Sequence, residues 1–148
     1  MTVLVDANLL LYAYDADSPH HAIVRQWLKD RISSGHPVRF ALVTLLAFVR
    51  IASDSRIFVR PMSPAEACTV VASLLDAANV QMLAPGPRSW RHLGEICTDA
   101  SARGPLVMDA HLAALAREHG AVIATADRDF RRFTGIETTN PLNDDARG

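Results

Sequence analysis

The stretch VLVDANLLLY, residues 3–12, sets a carboxylate in the middle of what otherwise reads as buried chain. Val3, Leu4 and Val5 are apolar, and so are Leu9, Leu10 and Leu11; Asp6 stands between them with Asn8 two residues on. A short apolar run of this kind fits a strand over about 2–6, buried on both faces as in a parallel sheet. An ionised carboxylate at its end is costly to bury without a partner. Asp6 therefore needs either a structural job, such as capping a following helix, or a charged partner.

On the rest of the chain, apolar strands alternate with helical patterns. A helix should start near Ser18-Pro19, with serine as N-cap and proline at the first helical position, and run to Gly35. VRFAL, 38–42, is a short strand, and TLLAFVRIAS, 44–53, is a buried helix with Thr44 as a candidate N-cap. SPAEACTVVASLLDAA, 63–78, opens with a capping box in which Ser63 is followed three residues later by Glu66. VQMLA, 80–84, is a strand; helices follow over 87–104 and 106–120, closed by Gly104 and Gly120. AVIAT, 121–125, is a further strand, followed by a short helical turn and a last strand near 136–139. Residues 141–148 read as a frayed C-terminal tail behind a domain spanning 1–140. Alternating strands and helices predict an α/β fold, a three-layer α/β/α sandwich around a mainly parallel central sheet.

The chain has 148 residues, 49% hydrophobic and 21% charged, with a formal net charge of −1. That is ordinary globular composition, long enough to bury a core without metal or disulfide staples. Near-zero charge carries no polyanion-binding signature, although among the 15 basic residues Lys29 is the single lysine. Arginine suits bidentate phosphate recognition, and a codon bias would also produce it. Cys68 and Cys97 lie far apart without a C-x-x-C pair, which argues against a disulfide framework or a zinc site. No secretory leader and no membrane-length apolar run are visible, so the expectation is a cytoplasmic protein with no membrane association.

In open α/β sheets ligands gather beyond the carboxyl ends of the strands. Asp6 ends the first predicted strand, Asp127 follows AVIAT by one residue, and Asp129 lies two further on. Asp109 falls in the first turn or so of the 106–120 helix. Each has an ordinary structural role available: a cap for Asp6, the helix dipole for Asp109, Asx-turns for Asp127 and Asp129. Together they suggest more, because clustered carboxylates repel and no Lys or Arg is close in sequence to Asp6 or Asp109. A divalent cation resolves the conflict, and hard oxygen ligands with several waters suit Mg²⁺ or Mn²⁺. Such an ion supports displacement at phosphorus. There is no G-x-G-x-x-G, Walker A or G-x-S-x-G motif to suggest other chemistry. A haloacid-dehalogenase-type phosphatase would want an aspartate where Asn8 stands.

VLVDANLLLYAYD (3–15), VMDAHLAALAREHGA (107–121) and ATADRDF (124–130) together resemble the PIN domain, specifically VapC-type toxins of bacterial toxin–antitoxin pairs. The resemblance covers about 1–140. It implies a parallel α/β/α sandwich and a Mg²⁺- or Mn²⁺-dependent endoribonuclease acting on RNA. It also implies a homodimer held inactive by a cognate VapB-type antitoxin. It carries Asp6, Asp109 and Asp127 onto the family's catalytic, metal-holding acids, with Asp129 matching a frequent additional one. There is one departure: the family pattern resembles L-x-E-F-x-R, whereas this chain has TLLAFVR, so Ala47 occupies the glutamate's place. Three explanations stand open: a site complete with aspartates alone; recruitment of Thr44, Thr125 or Glu95; or a weak catalyst that mainly binds RNA or antitoxin. A metal-dependent phosphatase is a further alternative.

Other residues carry weaker signals. His20 and His21 begin the first long helix, where a proton-transfer role competes with a capping or surface one. Arg50, Arg56 and Arg60 could meet phosphates. Trp27, Phe48, Trp90 and Phe130 could stack on bases, though Trp27 and Phe48 at helical spacing suit a core. VVASLL in the 63–78 helix suits a dimer face, an antitoxin groove or plain packing.

Overall fold

The strand segments pair in the order β3-β2-β1-β4-β5, all parallel. They are β1 (Val3–Val5), β2 (Val38–Ala41), β3 (Val80–Leu83), β4 (Val122–Ala124) and β5 (Thr138–Thr139). The computed structural model describes residues 1–144. Helices α1 (Ala7–Tyr14), α2 (His21–Ser33), α3 (Leu42–Ala52) and α4 (Pro64–Leu75) come first in the chain. Helices α5 (Ser89–Ala100), α6 (Leu106–His119) and α7 (Pro141–Asp144) follow, with a 3-10 turn at Arg128–Arg132.

The period of two along each strand divides the core into the two interfaces of a three-layer sandwich. Val3, Val5, Val38 and Phe40 pack with Leu9 and Leu10 of α1, Val24 and Leu28 of α2, and Leu45 and Phe48 of α3. Leu4 and Ile123 point the other way, against Ile96 of α5 and the Ala113–Ala116 stretch of α6. The alanines on α6 are buried and small, which lets that helix lie close to the sheet. Burial of each large side chain such as Phe48 contributes about 1.5–3 kcal/mol.

Two junctions have no loop. Asp6 follows β1 directly and is already the N-cap of α1, accepting a hydrogen bond from the Ala7 N–H. Ala41 ends β2 and is the N-cap of α3. Thr44, the sequence-based candidate for that cap, is therefore inside the helix, where its hydroxyl is buried and has no partner. The first long helix also begins later than Ser18-Pro19 suggests. Its N-cap is His20, and Ser18 Oγ accepts the His20 N–H within the preceding turn.

Elsewhere the sequence pattern is realised more closely. The Ser63–Glu66 capping box forms on α4, with Pro64 at its start, and Gly120 closes α6 at φ 62°. Helix α5 ends before Gly104: Ser101 takes the left-handed conformation at φ 50°. Part of the expected tail is ordered, since α7 forms and Leu142 packs against the first core cluster; residues 145–148 lie outside the described residues. In α4, Val70, Val71 and Leu75 pack against that same core. Among the described residues no helix is long and apolar enough to cross a membrane.

The strand order decides where a ligand belongs. From β1 the chain proceeds outward to β2 and β3, then returns to the other side of β1 for β4 and β5. The order reverses between β1 and β4, and the crevice at such a switch point, beyond the carboxyl ends of the strands, is the usual ligand site.

Candidate metal centre

Asp6, from the end of β1, and Thr125, from the end of β4, meet at that switch point. Their strands are held in register by Leu4↔Ile123 and Val5↔Ala124, and the Asp6 N–H donates to the Ala124 carbonyl at 2.9 Å. Asp6 Oδ1 accepts from the Ala7 N–H and Oδ2 from Thr125 Oγ1, both at 2.8 Å. Thr125 is 3% exposed and Asp6 9%. Thr125 Oγ1 also accepts the Asp127 N–H at 3.0 Å. Asn8 completes the seam: its amide nitrogen donates to Thr125 Oγ1 at 3.5 Å, and its Oδ1 accepts the Ala126 N–H at 3.4 Å.

Asp127 caps the 3-10 turn through its Oδ1, which accepts the Asp129 N–H at 2.9 Å. This brings both carboxylates to the same side as the first turn of α6, where Asp109 lies. One carboxylate oxygen from each of Asp109, Asp127 and Asp129 lies within 4.8 Å of the others. Asp6 stands beside this triad rather than in it, with each of its oxygens already engaged by a donor.

Electrostatics ties the four together. Burial pushes the Asp109 carboxyl up to about 6, and the charges of Asp127, Asp6 and Asp129 add to the rise. Burial also raises Asp6, opposed by its hydrogen bonds from Thr125 and Ala7 and assisted by the Asp127 charge. No described Lys or Arg forms an ion pair with any of the four. The group is thus an uncompensated patch of oxygen donors that repel one another. Its donor chemistry fits a hard divalent cation, for which carboxylates and water are the preferred ligands.

All four acids singled out from sequence sit at this edge of the sheet. Ala47 is half-buried on α3 and contributes no donor there. Of the groups considered as substitutes, Thr125 holds Asp6, whereas Glu95 is paired with Arg117 at 3.5 Å. Thr44 is 3% exposed with an unpartnered hydroxyl. Asn8, conspicuous in the opening motif, is a bridging residue between the β1 and β4 ends. Its polar character beside Asp6 within an apolar run was the signal available in sequence.

The remaining candidates have structural roles or lie elsewhere. The His20 ring meets Tyr12 edge-on at 5.0 Å, and His21 Nδ1 is 3.0 Å from the Tyr12 carbonyl. Arg56 is paired with Asp54 at 2.9 Å. Phe48 and Phe130 are core, whereas Trp90 is exposed. A cavity of about 210 Å³ between Leu11, Tyr14, Phe48, Phe58, Arg60 and Met62 includes none of the four acids.

The comparisons with known proteins agree with this geometry. The PIN domain family model matches residues 3–136. Ribonuclease VapC37 of Mycobacterium tuberculosis is 43% identical over 138 residues, covering 93% of this chain and 96% of that one. Ribonuclease VapC43 of the same organism is 37% identical over 139 residues, covering 94% and 95%. Among solved structures, VapBC2 from Rickettsia felis bound to a promoter DNA fragment aligns with a TM-score of 0.72 at 15% identity, covering 95% and 98%. VapC20 of Mycobacterium tuberculosis, a sarcin-ricin-loop-cleaving toxin, aligns with a TM-score of 0.63 at 16% identity, covering 91% and 98%. With its parallel five-stranded sheet and its acids gathered at the β1–β4 switch point, the chain belongs to the PIN domain family, in its VapC-type branch.

Proposed function

We propose that this protein is a divalent-metal-dependent endoribonuclease toxin of a VapBC-type system, acting in the cytoplasm. The observation that carries the reading is the triad of Asp109, Asp127 and Asp129, with one oxygen each within 4.8 Å and Asp6 adjoining. The ribonuclease names of the relatives at 37–43% identity support the reaction class.

Asp109, Asp127 and Asp129 would hold Mg²⁺ or Mn²⁺, with Asp6 as a further ligand directly or through water. When bound, such a cation polarises a phosphate oxygen and lowers the pKa of water toward neutrality. The chain's own residues prepare the place. Thr125 holds Asp6 with its Oδ2 turned to the β4 end, and Asp127 uses only Oδ1 for its cap, so its Oδ2 is not taken up by that bond. Mg²⁺ commonly takes one or two carboxylates with the rest water, so the aspartates suffice although Ala47 stands where the family has glutamate.

RNA would be cut in a loop or single-stranded region, where backbone and bases are accessible. The sarcin-ricin-loop activity named for VapC20 is in keeping with such a substrate. A VapB-type antitoxin and a second copy of the chain would be its protein partners. Exposed apolar side chains, Leu42 and Leu46 one turn apart on α3 and Ile57 and Val59 in the following loop, provide surface for them to cover.

The test is cleavage of a structured RNA with Mg²⁺ or Mn²⁺ and with chelator, for wild type and Asp127→Ala. Metal-dependent cutting abolished by Asp127→Ala is expected; chelator-resistant cutting would overturn the reading. The absence of a donor at Ala47 favours one second reading, an RNA- or antitoxin-binding PIN domain with slow catalysis. RNA binding without metal-stimulated cleavage would select it.

A further inference from the structure

We propose that Arg128, Arg131 and Arg132 form a basic rim that binds the RNA phosphates flanking the cleaved bond. The proposal rests on the ribonuclease reading and adds the element that site lacks, a means of drawing a polyanion onto a cluster of acids.

The three arginines belong to the 3-10 turn Arg128–Arg132, whose N-cap is Asp127 and whose first turn contains Asp129. Arg128 lies between these two acids in the chain. In a 3-10 helix side chains three apart eclipse, and each residue rises about 2 Å. Arg128 and Arg131 therefore share a face about 6 Å apart along the axis, while Arg132 shares a face with Asp129. All three side chains are exposed, and none makes an ion pair or hydrogen bond with a described residue. By contrast, Arg56 and Arg117 are each paired with an acid, and Arg25 and Arg39 are bound to backbone carbonyls.

The turn itself cannot swing freely away from the acids. Phe130, on its inner side, is buried and packs edge-on against Phe133 at 5.8 Å. Asp127 Oδ1 fixes the other end through the Asp129 N–H. The arginines are thus exposed arms on a fixed turn whose N-cap and first turn carry two of the carboxylates. The protein's formal net charge is −1, so attraction of a polyanion must be local. Unpaired arginines beside the acids supply it, and their planar forks suit phosphate oxygens. Contacts of this kind position a substrate without reading its sequence.

The experiment uses a labelled RNA stem-loop with the full-length wild type, the triple variant Arg128→Ala/Arg131→Ala/Arg132→Ala, and the matching triple Arg→Lys variant. A control removes Lys29 and Arg31, which lie near the end of α2 that leads into β2, at the opposite edge of the sheet. Binding is titrated in chelator over a range of salt, and cleavage is followed in Mg²⁺. Each phosphate contact on a single strand contributes about 0.7 to the slope of log affinity against log salt. The triple alanine variant should lose about 2 from that slope and show a KM at least about tenfold higher, with kcat within about threefold. The lysine variant should recover most of the slope, and the control should keep it.

Wild-type slope and KM in the triple alanine variant would overturn the rim, as would an equal loss in the control or no RNA binding by the wild type. Retained RNA behaviour with loss of a co-expressed antitoxin would also overturn it, assigning the arginines to the protein partner. A fall in slope with no metal-stimulated cleavage by wild type would refute the ribonuclease reading while leaving the phosphate rim standing. Normal cleavage with an unchanged slope would do the reverse.

Discussion

Thr125 Oγ1 donates a 2.8 Å hydrogen bond to Asp6 Oδ2 across 119 positions of sequence, at the carboxyl ends of adjacent parallel strands. The same oxygen accepts the Asp127 N–H at 3.0 Å, so one buried hydroxyl orients the acid after β1 and the chain that carries the acid after β4.

Thr125→Val keeps the side-chain shape and removes both interactions, along with the longer one from the Asn8 amide. It leaves the Asp6 carboxylate and the Asp127 N–H short of a partner, a loss of about 1–3 kcal/mol for a buried group. Urea denaturation should show a destabilisation of that size, with Mn²⁺ affinity reduced as well. Thr125→Ser, which preserves the hydroxyl, should recover most of both.

Asp109 yields a pH signature. Its carboxyl ionises at about 3.8 in an unfolded chain and at about 6 in the metal-free fold. Folding thus favours the neutral form. That contribution is fully present below about pH 3.8 and is lost as the pH rises through about 6. In chelator, Asp109→Asn should melt above wild type at pH 7.5, and the gap should close toward pH 4. Added Mg²⁺ or Mn²⁺ should raise the wild-type midpoint at pH 7.5 more than that of the variant. A pH-independent gap would contradict the assignment.

The acids were legible because each occupies a place with a sequence signature: Asp6 and Asp127 at the ends of apolar strands, Asp109 in the first turn of a helix. That Asp109, Asp127 and Asp129 form the tight group, with Asp6 beside them, was not legible. It depends on the cap geometry of Asp127 and on Thr125 engaging Asp6, which spacing along the chain does not encode. Thr44 shows a different limit. Threonine favours caps, yet β2 passes into α3 without a loop and the cap falls on Ala41. Gly104 was expected to close α5, but Ser101 adopts φ 50° and ends the helix sooner. The Ser63–Glu66 box was readable because its hydrogen bonds are local and need no tertiary partner.

That box sets an independent energetic expectation. Ser63 Oγ accepts the Glu66 N–H at 3.1 Å. Ser63→Ala should destabilise the protein by about 1 kcal/mol in denaturant titration, with no change in Mn²⁺ affinity.

Ala47 can be tested directly. If the aspartates make a complete site, Ala47→Glu adds a further charge to an already repulsive group. Cleavage at saturating Mg²⁺ should then stay within about threefold of wild type, while metal-free stability falls. A gain of tenfold or more in cleavage and metal affinity would identify the native site as lacking a ligand.

Metal-dependent RNA hydrolysis by carboxylates at the β1–β4 switch point is open to measurement at Asp6. Wild type and Asp6→Ala, both verified as folded by circular dichroism, are compared on the same RNA with Mg²⁺ or Mn²⁺ and with chelator. Wild type should cleave in a metal-dependent way and Asp6→Ala at least a hundredfold more slowly, on the order of the effect of losing one group that stabilises the transition state. Equal cleavage by the two proteins, or cleavage that survives chelation, would contradict it.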